Sequence, residues 1–296
     1  MRAAPQALAG LMVGPGDDCA VLADGTALTV DTMVEGVHFD ERISPEDLGY
    51  KAVTVSVSDL AATGATPTWL LLALSAPRTV DATWFEAIAR GVGDACRTWG
   101  IALIGGDTTR SSGPVVLSTT AAGRCAGAPL LRSGARASDD LWVTGTPGLA
   151  ALGYLAAAPS ERALRALHHP APPVAFALAL AAAGLATAAM DLSDGLRSDL
   201  PRLCAASRLG AQVDSSALPA LQGPAELLAT AQLAGGDDFE LLFTAPAAAR
   251  DAILALALTH AVRATRIGAM HATPGAQLSS GPWPAPGFAH FTRVSA

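Results

Sequence analysis

Apolar positions along the chain recur with two periods, about two residues in some runs and three to four in others, with Gly, Pro, Ser and Asp between them. Residues 19–30, CAVLADGTALTV, set Asp24-Gly25 between two apolar runs, which predicts a β-hairpin. A helix is expected to start at Ser44, where a capping side chain precedes Pro45, Glu46 and Asp47, and to stop at Gly64. A strand over 68–75 follows, then a helix from an Asp81 cap to Gly100. The next expected strand covers 101–104 and runs into the segment GGDTTR, read as a loop, and another covers 115–122. Between 123 and 140 Gly, Ser, Arg and Asp displace the apolar pattern, which places a domain boundary near residue 135.

After a strand over 141–144, the second half reads as Ala-rich helices up to Gly184, with a strand over 186–192 and a helix over 196–210. A strand over 211–214, a helix over 225–234, a strand over 239–244 and a helix over 247–258 complete it. The last 25 residues, rich in Gly and Pro, read as irregular. Residues 174–190 carry no charge, yet they are mostly Ala and are interrupted by Gly184 and Thr187, so a buried helix is expected rather than a membrane span. Strands and helices interleave in both halves. The expected class is therefore α/β or α+β, in two domains, residues 1–135 and 136–296.

Composition narrows the function classes. A chain of 296 residues with 51% apolar and 15% charged residues buries a large core and is not disordered. Its net charge of -7 lacks the basic stripe that nucleic acid requires. The four cysteines form no CxxC pair and read as small buried hydrophobes, and the N-terminus makes no convincing secretory signal, so a cytoplasmic location is expected.

The chemistry lies in the acids. Of 26 acidic residues 19 are Asp, a residue that favours caps, turns and ligand sites over solvated helix faces. Nine of them fall in six segments beside Gly, Ser or Thr: Asp17 and Asp18, Asp31, Asp59, Asp107, Asp191 and Asp194, Asp237 and Asp238. Any one such segment is ordinary turn chemistry. Six together would repel unless a cation neutralised them, and an all-oxygen ligand set suits Mg²⁺ bridging to phosphates. In DLSD, Asp191 and Asp194 stand where a strand hands over to a helix, and either a metal pair with a phosphate-binding Ser193 or a capping box satisfies the spacing. Gly105-Gly106-Asp107-Thr108-Thr109-Arg110 combines glycines that admit a phosphate with an acid and anion-binding groups, and Arg132 in LLRSGA offers a further positive charge. A Walker P-loop is excluded because the only lysine, Lys51, lies in GYKA. No complete dinucleotide fingerprint or protein-kinase motif is present.

Taken in order, GDDCAVL, TVDTMVEGVHF, DLGYKAVTVSVSDLAATGA, LIGGDTTR, LLRSGA, DLWVTGTPG, MDLSDGLRSDL, GGDDFELLFT and GFAHF resemble the thiamine-monophosphate kinase family, within the aminoimidazole ribonucleotide synthetase superfamily. The resemblance implies an N-terminal α/β domain that pairs in a homodimer and a C-terminal α/β domain that closes over ATP. It implies Mg²⁺ ligands at Asp18, Thr29, Val30, Asp31, Asp59, Asp107, Asp191 and Asp194, with Val30 acting through its carbonyl. It implies ATP contacts at Gly106, Asp107, Arg132 and Ser193, and thiamine monophosphate contacts at His38, Asp237 and Phe288. Val30 stands where Thr is usual, Ser56 replaces a common Asn, and the segment before GDD is short.

The activity this implies is in-line transfer of the ATP γ-phosphoryl to the substrate phosphate, without a general base, because a phosphate monoester is already mostly dianionic at pH 7. Two other classes are carried alongside: an ATP-dependent enzyme of the same superfamily with a different acceptor, and a non-catalytic cation-binding protein.

Overall fold

The computed structural model describes residues 8–284. The first half contains β1 (Leu11–Val13), β2 (Ala20–Leu22), β3 (Thr26–Val34), α1 (Pro45–Ala62), β4 (Ala65–Ala76), α2 (Ala82–Trp99), β5 (Ala102–Arg110) and β6 (Val116–Cys125). The hairpin around Asp24-Gly25 and both helix caps form as expected: Ser44 accepts from the Asp47 N–H and Asp81 from the Trp84 N–H. The strands make one sheet in the order β1-β2-β3-β6-β4-β5. α1 lies against β3, β4 and β6, and α2 packs outside it. The two helices cross where a Cβ on Gly91 would stand 1.8 Å from the Glu46 carbonyl, so only glycine allows this approach.

The second half contains β7 (Asp140–Thr144), α3 (Leu149–Leu155), α4 (Glu161–His168), α5 (Val174–Ala182), β8 (Ala188–Leu192), α6 (Leu196–Ser207), β9 (Gly210–Val213), α7 (Ala225–Ala234), β10 (Glu240–Ala245), α8 (Arg250–Thr259), β11 (Ala264–His271), β12 (Gly275–Leu278) and β13 (Gly281–Pro282). Its sheet runs β13-β12-β9-β11-β7-β10-β8. Both faces of the central strands are covered, so β7 and β8 are buried at every position. Leu141, Val143, Met190 and Leu242 pack with α6, while Trp142, Ala189, Leu241 and Phe243 pack with α5 and α8. Ala61 and Ala62 of α1 join that second cluster, so the end of α1 belongs to the cores of both halves. No described helix is long and apolar enough to cross a membrane.

Two expectations change, and one strand is not anticipated. GGDTTR is not a loop: β5 continues through it to Arg110, paired in parallel with β4, and it is exposed throughout because it is the sheet's last strand. Within the final 25 residues, β12 and β13 are strands, β12 held by pairing to β9 and β13 by pairing to β12, rather than by apolar content. β11 escapes a period-two search because its register shifts between Arg266 and Gly268, which brings Ile267 and Met270, three apart, into the same core.

Glu240, at the start of β10, supplies a stability prediction away from the carboxylate cluster. Its Oε2 accepts from the Thr144 hydroxyl at 2.5 Å, and burial pushes its pKa up to about 7. Between its ordinary value of 4.5 and about 7 the unfolded chain has released this proton while the folded protein retains it, so stability falls as pH rises across that window, by up to about 1.4 kcal/mol per pH unit. Urea unfolding of Glu240→Gln is expected to show a shallower loss from pH 5 to pH 7 than the parent. Parallel pH profiles would show that Glu240 does not titrate in this way.

Candidate active site

Three carboxylates converge between the two sheets. Asp18 comes from the turn between β1 and β2, Asp59 from α1 and Asp191 from β8, and one oxygen of each lies within 4.8 Å of the others. Asp18 and Asp191 are buried, at 8% and 3% exposure. The chain holds this arrangement with donors. Thr29, on the face of β3 that meets α1, donates its hydroxyl to Asp59. Ser58 of α1 donates to Asp191 at 3.1 Å, and Arg132 in the inter-strand linker binds Asp18 through Nε at 2.8 Å and through its Nη2. Asp31, two residues beyond Thr29 on the same face, accepts from Ser56 at 2.9 Å.

The electrostatics follow from that crowding. Burial, then the charge of Asp191, pushes Asp18 well above the usual carboxylate range against the pull of Arg132. Burial, then Asp31, Asp191 and Asp18, does the same to Asp59. Asp191 is raised to about 6, by burial and then by Asp31. One guanidinium cannot balance this many carboxylates, and the all-oxygen donor set fits a hard divalent cation.

Beside the cluster, β8 turns into α6 through Ser193, Asp194 and Gly195. The Ser193 hydroxyl lies 3.5 Å from Asp191 Oδ1. The Asp194 carboxylate turns to Arg202 at 2.6 Å, and its N–H donates to Asp199, which burial and then Asp191 and Asp194 push up to about 8. Asp194 therefore borders the three-acid cluster rather than completing it. Of the two acids in GGDD, Asp238 is structural: it accepts from the backbone N–H groups of Gly148 and Ala150 at the start of α3. Asp237 pairs with Lys51 at 3.1 Å.

The remaining expected residues lie elsewhere. The pleat sends the Val30 side chain to the opposite face from Thr29 and Asp31, 63% exposed, so only its backbone is available to a cation. His38 lies in the turn after β3, with Nδ1 accepting from the Val34 N–H at 3.0 Å. Gly106 and Asp107 lie on β5. The register runs from Asp31 to Thr119, Leu72 and Gly106, three strand spacings or about 14 Å across the sheet, so one chain does not bring Asp107 to the cluster. A Cβ at Gly106 would also meet the Leu72 carbonyl at 1.9 Å, which gives that glycine a packing role. Phe288 lies outside the described residues. Sequence reading gave no site role to Ser58 or Lys51, and it grouped Asp17 with Asp18 without a role of its own. Ser58 is legible only once α1 is known to carry it into the site next to Asp59, and Asp17 holds the Arg132 N–H through both oxygens at 3.2 Å.

Two α/β halves that meet around a carboxylate cluster define the class. Family models for AIR synthase related protein match here, the N-terminal domain over residues 16–125 and the C-terminal domain over 136–280. The chain is 41% identical to thiamine-monophosphate kinase of Escherichia coli strain K12 over 281 residues, 88% of this chain and 84% of the relative. The crystal structure of thiamine-monophosphate kinase from Stenotrophomonas maltophilia K279a superposes with a TM-score of 0.81 at 39% identity, covering 93% of this chain and 92% of that one. A structure described as AaThiL complexed with AMPPCP and TMP gives 0.81 at 27% identity, covering 93% and 91%. The chain belongs to the thiamine-monophosphate kinase family.

Proposed function

We propose that this protein is a magnesium-dependent thiamine-monophosphate kinase of the cytoplasm, transferring the ATP γ-phosphoryl directly to thiamine monophosphate and releasing thiamine diphosphate and ADP. The observation that carries the reading is the cluster of Asp18, Asp59 and Asp191, drawn from both halves and seated in a chain of this family. The neighbour's complex with AMPPCP and TMP supports the pair of substrates. Four unpaired cysteines fit a reducing compartment.

In this reading Asp18, Asp59, Asp191 and their neighbours Asp31 and Asp194 hold magnesium, with the Thr29 hydroxyl and the Val30 carbonyl beside them. Magnesium supplies the charge that lets two phosphate groups approach. The chain's own work is placement. Arg132 and Ser193 orient the nucleotide phosphates, His38, Asp237 and Phe288 hold the acceptor, and burial excludes water from the transfer. No side chain need remove a proton, because the acceptor phosphate is mostly dianionic near pH 7. Residues 1–135 carry most of the metal and nucleotide contacts and pair with a second copy, and residues 136–296 close over them.

The homodimer draws support from the open sheet of the first half. β5 is an unpaired edge nine residues long, and Val30, Leu71, Leu103 and Ile104 are exposed on this sheet. Pairing there would bring Gly106 and Asp107 to the partner's site. A complementation experiment tests this directly. Asp107→Asn and Asp191→Asn are each expected to be inactive, and mixing them under exchange should restore about a quarter of wild-type turnover, since half the dimers are mixed and each has one intact site. No recovery in verified mixed dimers would remove Asp107 from a shared site.

Incubation with thiamine monophosphate, ATP and MgCl₂ tests the reaction itself. Thiamine diphosphate and ADP are expected in equal amounts, abolished by EDTA. ADP without thiamine diphosphate would move the acceptor to another molecule, and neither product would overturn the kinase reading.

A further inference from the structure

We propose that Lys51 is a positioning residue that fixes the Asp237 carboxylate toward the acceptor and thereby sets its affinity; this rests on the kinase reading above. Lys51 is the only lysine in the chain, and its side chain is 2% exposed. An ammonium sealed from water is costly unless paired, and the described partner is Asp237 Oδ2 at 3.1 Å. The two ends of this pair face different surroundings. Lys51 is enclosed, whereas the Asp237 side chain is 37% exposed. A group enclosed in this way is not placed to meet an incoming phosphate. It is placed to hold, from behind, a carboxylate that can.

Three further observations give the pair a direction. Lys51 and Ser58 are seven residues apart on α1, two helical turns on one face, and both reach into the second half: Ser58 to Asp191, Lys51 to Asp237. The Asp237 N–H donates to the Ser193 carbonyl at 2.8 Å, so the ion pair joins α1 to the segment that follows the metal-binding Asp191. Asp237 also has φ +67°, a left-handed conformation that a non-glycine residue keeps only where its surroundings enforce it. Lys51 engages Oδ2, and among the described residues Oδ1 has no protein partner, which leaves it to accept from an N–H donor such as the amino group of the acceptor's pyrimidine. Replacing a buried pair by apolar groups is often neutral for stability, so folding alone does not require a lysine here.

The test is a double-mutant cycle with Lys51→Met, Asp237→Asn and the double variant, varying thiamine monophosphate and ATP separately. Lys51→Met is expected to raise KM for thiamine monophosphate about tenfold or more, with KM for ATP unchanged and kcat within about threefold. The double variant should be no worse than Asp237→Asn alone, because Lys51 acts through that carboxylate. Lys51→Arg, which keeps the charge with a different donor geometry, should show a smaller rise in the same KM, and it decides the matter if Lys51→Met does not fold by circular dichroism. Additive losses, equal effects on both substrates or an unchanged acceptor KM would overturn the assignment. If wild-type protein forms no thiamine diphosphate, the kinase reading has failed instead, and calorimetric binding of thiamine monophosphate to the same variants still tests Lys51.

Discussion

Asp191→Asn is expected to fold, to lose turnover by roughly 100-fold or more, and to melt at a higher temperature than the parent when both are free of metal at pH 8. The first part follows from its place in the cluster: Asp191 is the only acid of the three that the second half contributes, so without its charge a cation bound there would lose its main ligand from that half. The second part follows from its titration. Its carboxyl ordinarily ionises near 3.8 and in the folded protein near 6, chiefly through burial and then the charge of Asp31. Between those values the folded protein holds a proton that the unfolded chain has lost, so stability falls as pH rises and the cost is complete above about 6, at about 1.4 kcal/mol per pKa unit. Asn keeps an oxygen to accept from Ser58 and carries no charge to bury. Activity and stability should therefore move in opposite directions, as at other sites where like charges are held together for function. Steady-state kinetics and thermal melts in EDTA measure both. Near wild-type turnover would remove Asp191 from the metal site, and a melting temperature several degrees lower would mean that its carboxylate stabilises the metal-free fold.

The parts of this molecule legible in its sequence are those whose signal is local. Asp24-Gly25, the Ser44 and Asp81 caps and the Ala-rich stretch up to Gly184 each carry their conformational reason within a few residues, and the elements they predict are present. The strand character of GGDTTR is not of this kind. Two glycines and an acid read as a loop, and only the pairing of β5 with β4 makes them a strand. β11 is hidden by its register shift. Within the site, the residue types pointed to a gathering of carboxylates, because so many Asp lie beside Gly, Ser and Thr, but they could not sort Asp237 from Asp238. Adjacent in sequence, one caps α3 through backbone N–H groups and the other faces Lys51. That division depends on which way a loop in left-handed conformation turns each carboxylate, and residue type does not encode it.

Adding MgCl₂ with a non-hydrolysable ATP analogue is expected to raise the melting temperature more at pH 8 than at pH 5.5. Protons and a cation would compete for the same oxygens: burial and neighbouring carboxylates hold Asp18 and Asp59 well above the usual carboxylate range, and Asp191, near 6, is mostly protonated at pH 5.5, so binding there must expel its proton. At pH 8 the carboxylates that destabilise the metal-free protein become its ligands. A ligand at 100 times its dissociation constant stabilises by about 2.7 kcal/mol. For a chain of this size that is a rise of roughly 4 °C. The Asp191→Asn variant should show a smaller shift that depends less on pH, since one of the groups that couple proton release to binding is gone. Equal shifts at both pH values in the parent would mean that magnesium and the nucleotide bind away from these carboxylates. The expected pattern would instead place a cation where Asp191 of the second half meets Asp18 and Asp59 of the first, so that one ion would both join the halves and screen the phosphates.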